Sequence, residues 1–223
     1  MRIKAVLFDL YGTLVYVINE VSDDEASEYL FNRGYEVSPQ QLKAAWLFVS
    51  MVDYPRYGYR DWNSFLRRVF WRLGVKVDEK TLTEFRELSR KSRNVLYPEV
   101  EEAVSKVKSY GFRTAIVTTT PHFFFEEAIE PIKKYFDFIC TGYEARCDKS
   151  NPKMYRKVLD VLDVKPEETV VIGNDLQYDI LLPKKLGMHT ILLDRKMERQ
   201  NVDIPDAVVK DLREAVKIVV NWM

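Results

Sequence analysis

Asp9 closes the apolar run of residues 2–8 and is followed at once by Leu10, Tyr11, Gly12, Thr13 and Leu14. A carboxylate just past the carboxyl end of a buried strand lies in the crevice where open α/β sheets bind ligands. Gly12 permits the sharp turn that points successive backbone N–H groups at an anion, with Thr13 adding a hydroxyl. Such a setting suits an aspartate that attacks an electrophile held by backbone amides. Three further stations follow. Thr118, Thr119 and Thr120 end the apolar run that begins at Arg113, and their hydroxyls can donate to a bound oxyanion. Lys149 precedes a helix that opens at Pro152 and can neutralise charge shared by an aspartate and a phosphoryl group. Gly173, Asn174, Asp175 and Asp179 follow the run 169–172, and two carboxylates four residues apart can coordinate Mg²⁺ or cap the helix that follows.

These groups converge only if their elements do. From about residue 95 onward, short apolar segments at 113–118, 136–140, 169–172, 189–193 and 207–209 read as strands. Between them, Val100, Ala103, Val104 and Val107 share one helical face, Met154, Tyr155, Val158, Leu159 and Leu162 another, and Leu212, Ala215, Val216 and Val219 the last. Alternating strand and helix predicts a parallel sheet covered on both sides. Residues 17–94 read as helices only. Ser38 and Gln41 form a capping box around Pro39, Asp61 caps a helix carrying Trp62, Phe65 and Leu66, and Asp78 opens a third. Trp46 and Phe65 fall on apolar stripes and are expected in the core of this insert. The ring-rich stretch from Tyr54 to Trp62 either faces a ligand or packs within the insert.

Composition sets bounds. The 223 residues are 47% hydrophobic and 30% charged, with Lys+Arg and Asp+Glu equal at 34 each, so the formal charge is zero. That balance gives no electrostatic case for nucleic acid or an anionic membrane as partner. No apolar run approaches the roughly 18–20 residues that cross a bilayer. The expectation is a soluble, cytoplasmic protein, monomer or homodimer, acting on a small molecule. Cys140 and Cys147 make neither a disulfide framework nor a zinc site, and His122 and His189 belong to no ligand pattern.

In this order the four stations resemble the motifs of the haloacid dehalogenase-like (HAD) hydrolase superfamily: Asp9-Leu-Tyr-Gly-Thr-Leu14, Thr118, Lys149 and Gly173-Asn-Asp-x-x-x-Asp179. Residues 96–100 and 184–191 are also similar to it. The resemblance implies an α/β fold: a Rossmann-like parallel sheet core over 1–16 and 95–223, with a helical cap domain inserted after the first strand over 17–94. It further implies an aspartyl-enzyme intermediate at Asp9 and, in most relatives, Mg²⁺-dependent phosphatase activity. Mg²⁺ would be held by Asp9, the Tyr11 carbonyl and the fourth-motif acids Asp175 and Asp179. The phosphoryl oxygens would meet Thr118, Lys149, Gly12 and Thr13, with Thr119 and Asn174 beside them. Two departures matter. The family's phosphatases place a second aspartate where Tyr11 stands, and tyrosine there marks its 2-haloacid dehalogenases, which need no metal. The dehalogenases in turn carry Ser-x-Asn-x-x-Asp at the fourth motif, where this chain has Asn174 and Leu176 at the Ser and Asn places. Either Asn174 or Asp175 takes the metal-binding acid's position. A Mg²⁺-dependent phosphatase is the expectation, with a 2-haloacid dehalogenase or a non-catalytic ligand-binding relative as the alternatives.

Overall fold

A computed structural model describes residues 2–198 and 203–223. In chain order the elements are β1 (Ala5–Phe8), β2 (Val15–Ile18), α1 (Asp23–Phe31), α2 (Pro39–Phe48), α3 (Tyr54–Tyr57), α4 (Trp62–Arg72), α5 (Glu79–Ser89) and β3 (Arg93–Leu96). There follow α6 (Val100–Ser109), β4 (Arg113–Val117), α7 (Glu126–Ile129), β5 (Phe138–Cys140), α8 (Gly142–Ala145) and α9 (Pro152–Leu162). The chain ends with β6 (Thr169–Gly173), α10 (Leu182–Lys185), β7 (His189–Leu193), β8 (Ala207–Val209) and α11 (Leu212–Asn221).

Six strands form one parallel sheet in the order β5-β4-β1-β6-β7-β8. Side chains alternate across it. Val6, Phe8, Ile116 and Ile172 pack on α6 and α11, whereas Ala5, Leu7, Ala115 and Val117 pack on α9. The apolar stripes of the three helices thus meet opposite faces of one sheet, as their periodicity requires. β1 lies between β4 and β6, so the chain leaves it in opposite directions and a crevice opens at its carboxyl end.

Residues 17–94 are not helical throughout. Val15–Ile18 pairs antiparallel with Arg93–Leu96, a ribbon that leads into and out of the helical insert. These four-residue strands satisfy each other's backbones across almost eighty residues of sequence, a pairing that local periodicity does not reveal. Between them the expected caps form: Ser38 and Gln41 exchange capping-box hydrogen bonds, and the Asp61 and Asp78 side chains accept the Ser64 and Thr81 amides. Leu30, Leu42, Val49, Phe65, Phe70 and Phe85 form a core separate from the sheet's own, joined by Phe123 from the segment after β4. Phe65 is buried as expected. Trp46 is only half-buried, because its ring also walls a cavity. From the Tyr54–Trp62 stretch, Tyr54 is buried and Tyr57 exposed, while Tyr59 and Trp62 pack against the insert's core.

Candidate active site

Asp9 follows β1 directly, and its amide donates to the Ile172 carbonyl at 2.9 Å, so the sheet ladder itself fixes where the carboxylate begins. Its two oxygens are held differently. Oδ1 accepts the Lys149 ammonium at 2.6 Å, and Oδ2 accepts the Thr13 hydroxyl at 3.0 Å. Lys149 Nζ also lies 2.6 Å from Asp179 Oδ1, so one buried cation spans the first and fourth motifs. Burial opposes that charge, but the carboxylates of Asp179 and Asp9 outweigh it and keep the ammonium protonated well above the ordinary lysine range. Burial, reinforced by the charge on Asp9, pushes the Asp179 carboxyl up to about 6 against the pull of Lys149. The other Asp179 oxygen accepts the Asp175 amide at 2.9 Å. Gly173 makes room for it, since a Cβ there would sit 2.3 Å from Asp179 Oδ2.

Thr119 acts on Lys149 from behind: its hydroxyl accepts the Lys149 backbone amide at 3.0 Å. Thr118 is buried at the end of β4, its own amide spent on Cys140 and its hydroxyl oxygen accepting the Thr120 amide at 3.3 Å. The hydroxyl proton is therefore the group it has to offer a ligand. In the Asp9 loop, Gly12 adopts φ +80, and its amide donates to Val15 O at 2.8 Å. Both backbone amides expected to face an anion are taken up within the turn, Thr13 N donating to Leu10 O at 3.4 Å.

Asn174 and Asp175 separate cleanly. Asp175, expected among the metal ligands, is exposed, and its Oδ1 accepts the Gln177 and Tyr178 amides at 2.8 Å each. It caps the π-helical turn Leu176–Leu181 that leads into α10. The Asn174 amide instead points into the site, its inner atom 2.9 Å from Tyr11 O and 3.1 Å from Asp9 Oδ2. Gly12 admits it: a Cβ at that position would fall 2.6 Å from the amide.

These distances suit a small hard cation. Oxygens on one edge of an octahedron around Mg²⁺, with metal–oxygen bonds of 2.0–2.1 Å, lie about 2.9 Å apart. An inward Asn174 oxygen stands close to that spacing from both the Tyr11 carbonyl and Asp9 Oδ2. Among the described residues no three His, Cys, Asp or Glu side chains cluster as metal ligands. The candidate donors gathered here are one carboxylate, one backbone carbonyl and one carboxamide.

Tyr11 sends its side chain the other way. The phenol is hydrogen-bonded to Asn94, and burial pushes its pKa up to about 12. Asn94 in turn donates to Phe124 O at 2.6 Å. Tyr11 thereby joins the wall of a cavity of about 360 Å³ between the ribbon and the insert, together with Val17, Leu42, Trp46, Trp62 and Phe124.

One functional neighbour escaped the sequence reading. Arg195, two residues past β7, donates to Gly12 O at 3.1 Å and Thr13 O at 2.7 Å. It also pairs with the buried Glu99 at 2.7 Å and stacks 3.4 Å over the Tyr97 ring. It thus braces the loop that carries Asp9 against the segment that follows β3. Nothing local distinguishes it from other arginines, because its partners lie about 100 and 180 residues away.

Residues 3–187 match the haloacid dehalogenase-like hydrolase family. This chain belongs to that family. Among its relatives, a pyrophosphatase PpaX of Bacillus mycoides is 29% identical over 196 residues, covering 86% of this chain and 83% of the relative. A HAD phosphatase from Thermococcus onnurineus superposes with a TM-score of 0.64 at 24% identity, covering 97% of this chain and 98% of that one. A 2-haloacid dehalogenase from Pseudomonas syringae superposes at 0.72 with 18% identity, covering 99% and 100%. Both likenesses establish the fold of the hydrolase. Arg195 lies beyond the family's matched segment.

Proposed function

We propose that this hydrolase is a Mg²⁺-dependent phosphatase of small phosphorylated metabolites, working through an aspartyl-phosphate at Asp9. The observation that carries it is the convergence of the Tyr11 carbonyl and Asp9 Oδ2 on the Asn174 amide, at 2.9 and 3.1 Å, with the other Asp9 oxygen fixed by Lys149. An Asp9 oxygen attacks phosphorus, the bond to the leaving group breaks, and the electron pair departs on the leaving oxygen. Water then attacks the acyl phosphate, which releases phosphate and regenerates the carboxylate. Lys149 holds Asp9 aimed, and Thr118 donates its hydroxyl to a phosphoryl oxygen. Asp9, the Tyr11 carbonyl and Asn174 hold Mg²⁺, with Asp179 acting through Lys149. When bound, the metal neutralises charge on the phosphoryl oxygens.

Tyr11, its phenol buried with a pKa pushed up to about 12 and its ring turned into the cavity wall, offers no ready proton to a leaving alkoxide. Substrates whose leaving group departs as a stable anion are therefore the fast ones. The relatives' name puts inorganic pyrophosphate beside aryl phosphates among those to test. The insert over 17–94 serves as the cap on the core of 1–16 and 95–223, and its cavity is where a leaving group's body is read.

The test is phosphate release from p-nitrophenyl phosphate and from pyrophosphate by metal-stripped protein, with and without Mg²⁺. Release is expected to need the metal, and Asp9→Asn is expected to lower it at least about 10³-fold. Turnover that survives chelation or Asp9→Asn overturns the reading, as does chloride release from 2-chloropropionate without phosphate release from either phosphate substrate.

A further inference from the structure

The Asn174 carboxamide can face its neighbours in two ways, and the two correspond to different states of the site. With nitrogen inward, its N–H groups reach Tyr11 O at 2.9 Å and Asp9 Oδ2 at 3.1 Å, and both acceptors are satisfied. With oxygen inward, that atom confronts the same two acceptors, and its nearest donor is the Thr13 hydroxyl, which lies 3.4 Å away and already serves Asp9. Three oxygens brought together in a buried crevice repel one another unless a cation lies among them. The inward-oxygen state is thus a metal-loaded state and the inward-nitrogen state a metal-free one.

No neighbouring acid relieves Asn174 of this part. Asp175 is turned outward onto the helix amides, and both Asp179 oxygens are committed, one to Lys149 and one to the Asp175 amide. On Asp9, Lys149 holds Oδ1, so Oδ2 is the oxygen left to face the metal side. Gly12 leaves the space beside the amide free of any Cβ.

We propose that Asn174 is an internal stand-in for the cation: its amide group bridges Asp9 and the Tyr11 carbonyl in the metal-free protein, and a half-turn about its Cβ–Cγ bond presents its oxygen as a ligand when Mg²⁺ enters. This rests on the metal-dependent reading above. Two consequences follow from the bond count. Metal entry costs two hydrogen bonds, and the incoming cation meets one carboxylate rather than two, so the site is weak and opens only as Mg²⁺ rises. The same amide keeps Asp9 oriented while no metal is present.

The experiment is a calorimetric titration of Mg²⁺ into chelator-stripped protein, wild type and Asn174→Asp, with the Asn174 side-chain amide followed by 1H–15N NMR in the wild type. Asn174→Asp is expected to tighten binding about tenfold or more, because a second carboxylate joins the set. Without metal the same variant melts below wild type, since two carboxylates then face each other, and Mg²⁺ raises its Tm more than it raises the wild type's. In the wild-type spectra the two amide protons begin protected and lose that protection as Mg²⁺ saturates. An Asn174→Asp affinity within about twofold of wild type overturns the proposal, and so do amide resonances that stay unmoved at saturation. If neither protein takes up Mg²⁺ while both remain folded, the metal-dependent reading itself falls, a result distinct from metal uptake to which Asn174 is indifferent. Should Asn174→Asp not fold, the wild-type amide spectra decide alone.

Discussion

The carboxyl edge of the sheet and the helical insert above it are held together by different forces. At the sheet edge, Asp9, Lys149, Asp179, Thr13 and Asn174 sit within hydrogen-bond reach of one another, and each contact is directional. In the insert, rings do the holding: Trp62 lies 4.4 Å from Phe124 and Trp46 4.9 Å from Phe65, centroid to centroid. A part-buried ion pair, Asp53 with Arg68 at 2.6 Å, tightens the turn before α3. Directional contacts fix a reacting carboxylate to within a fraction of an ångström, whereas apolar packing tolerates exchange of shape at little cost. The molecule thus divides into a part that changes badly and a part that changes freely.

The largest break of that contrast comes from Lys149→Met. Two carboxylates would lose their shared cation in a crevice where the Asp179 and Lys149 side chains are 1% and 9% exposed. Removing one partner of such a group costs about 3–5 kcal/mol, and kcat is expected to fall at least about 10²-fold. Denaturant unfolding and turnover, measured on the same samples, check both figures. A loss below about 1 kcal/mol would mean that water already screens the pair.

Arg195→Ala comes next. It frees the Gly12 and Thr13 carbonyls and strands the buried Glu99, for about 1–3 kcal/mol. Because the loop it braces carries Asp9, kcat should drop about 10–100-fold with KM little changed, and added guanidinium should restore part of it. A change in KM alone would place Arg195 on the recognition side of the comparison.

Trp62→Ala tests that other side. It removes a cavity wall and the tilted ring contact with Phe124, so KM is expected to shift several-fold across substrates of different bulk while kcat for p-nitrophenyl phosphate stays within about threefold. Steady-state kinetics over a leaving-group series measures it. A matched loss in kcat would show that the insert also positions the reacting atoms.

The sheet was legible because each strand is a short apolar run, and three of the four motifs sit where such a run ends, Lys149 standing instead before α9. Sequence order alone then fixes which groups face the crevice. What escaped depends on contacts distant in sequence. β2 and β3 pair across almost eighty residues, and Arg195, one of 34 basic residues, is distinguished only by carbonyls some 180 positions away. Trp46 follows the apolar stripe as read, but a stripe records which face turns inward and not whether that face meets side chains or a cavity. The division of labour between Asn174 and Asp175 was equally hidden, because adjacent residues after a strand point in opposite directions and the turn chooses which one looks inward.

That last pair offers the finest test of the comparison. By type, Asp175 is the better metal ligand while the two cap a helix about equally well, yet the carboxylate stands in the cap and the carboxamide in the crevice. Asp175 Oδ1 accepts two amides at the start of the turn Leu176–Leu181, and its backbone amide secures Asp179, which secures Lys149. Asp175→Ala removes the cap and leaves that backbone bond in place, so the expected cost is about 1 kcal/mol of stability with turnover within about threefold. Asp175→Ser, which can still cap, should recover the stability, and Mg²⁺ affinity by calorimetry should stay at the wild-type value in both variants. Loss of Mg²⁺ binding in Asp175→Ala would mean that this carboxylate turns inward when the cation is present. The directional side of the molecule would then hold one more charge than its geometry assigns it, and the crevice would bind metal through two acids rather than through Asp9 alone.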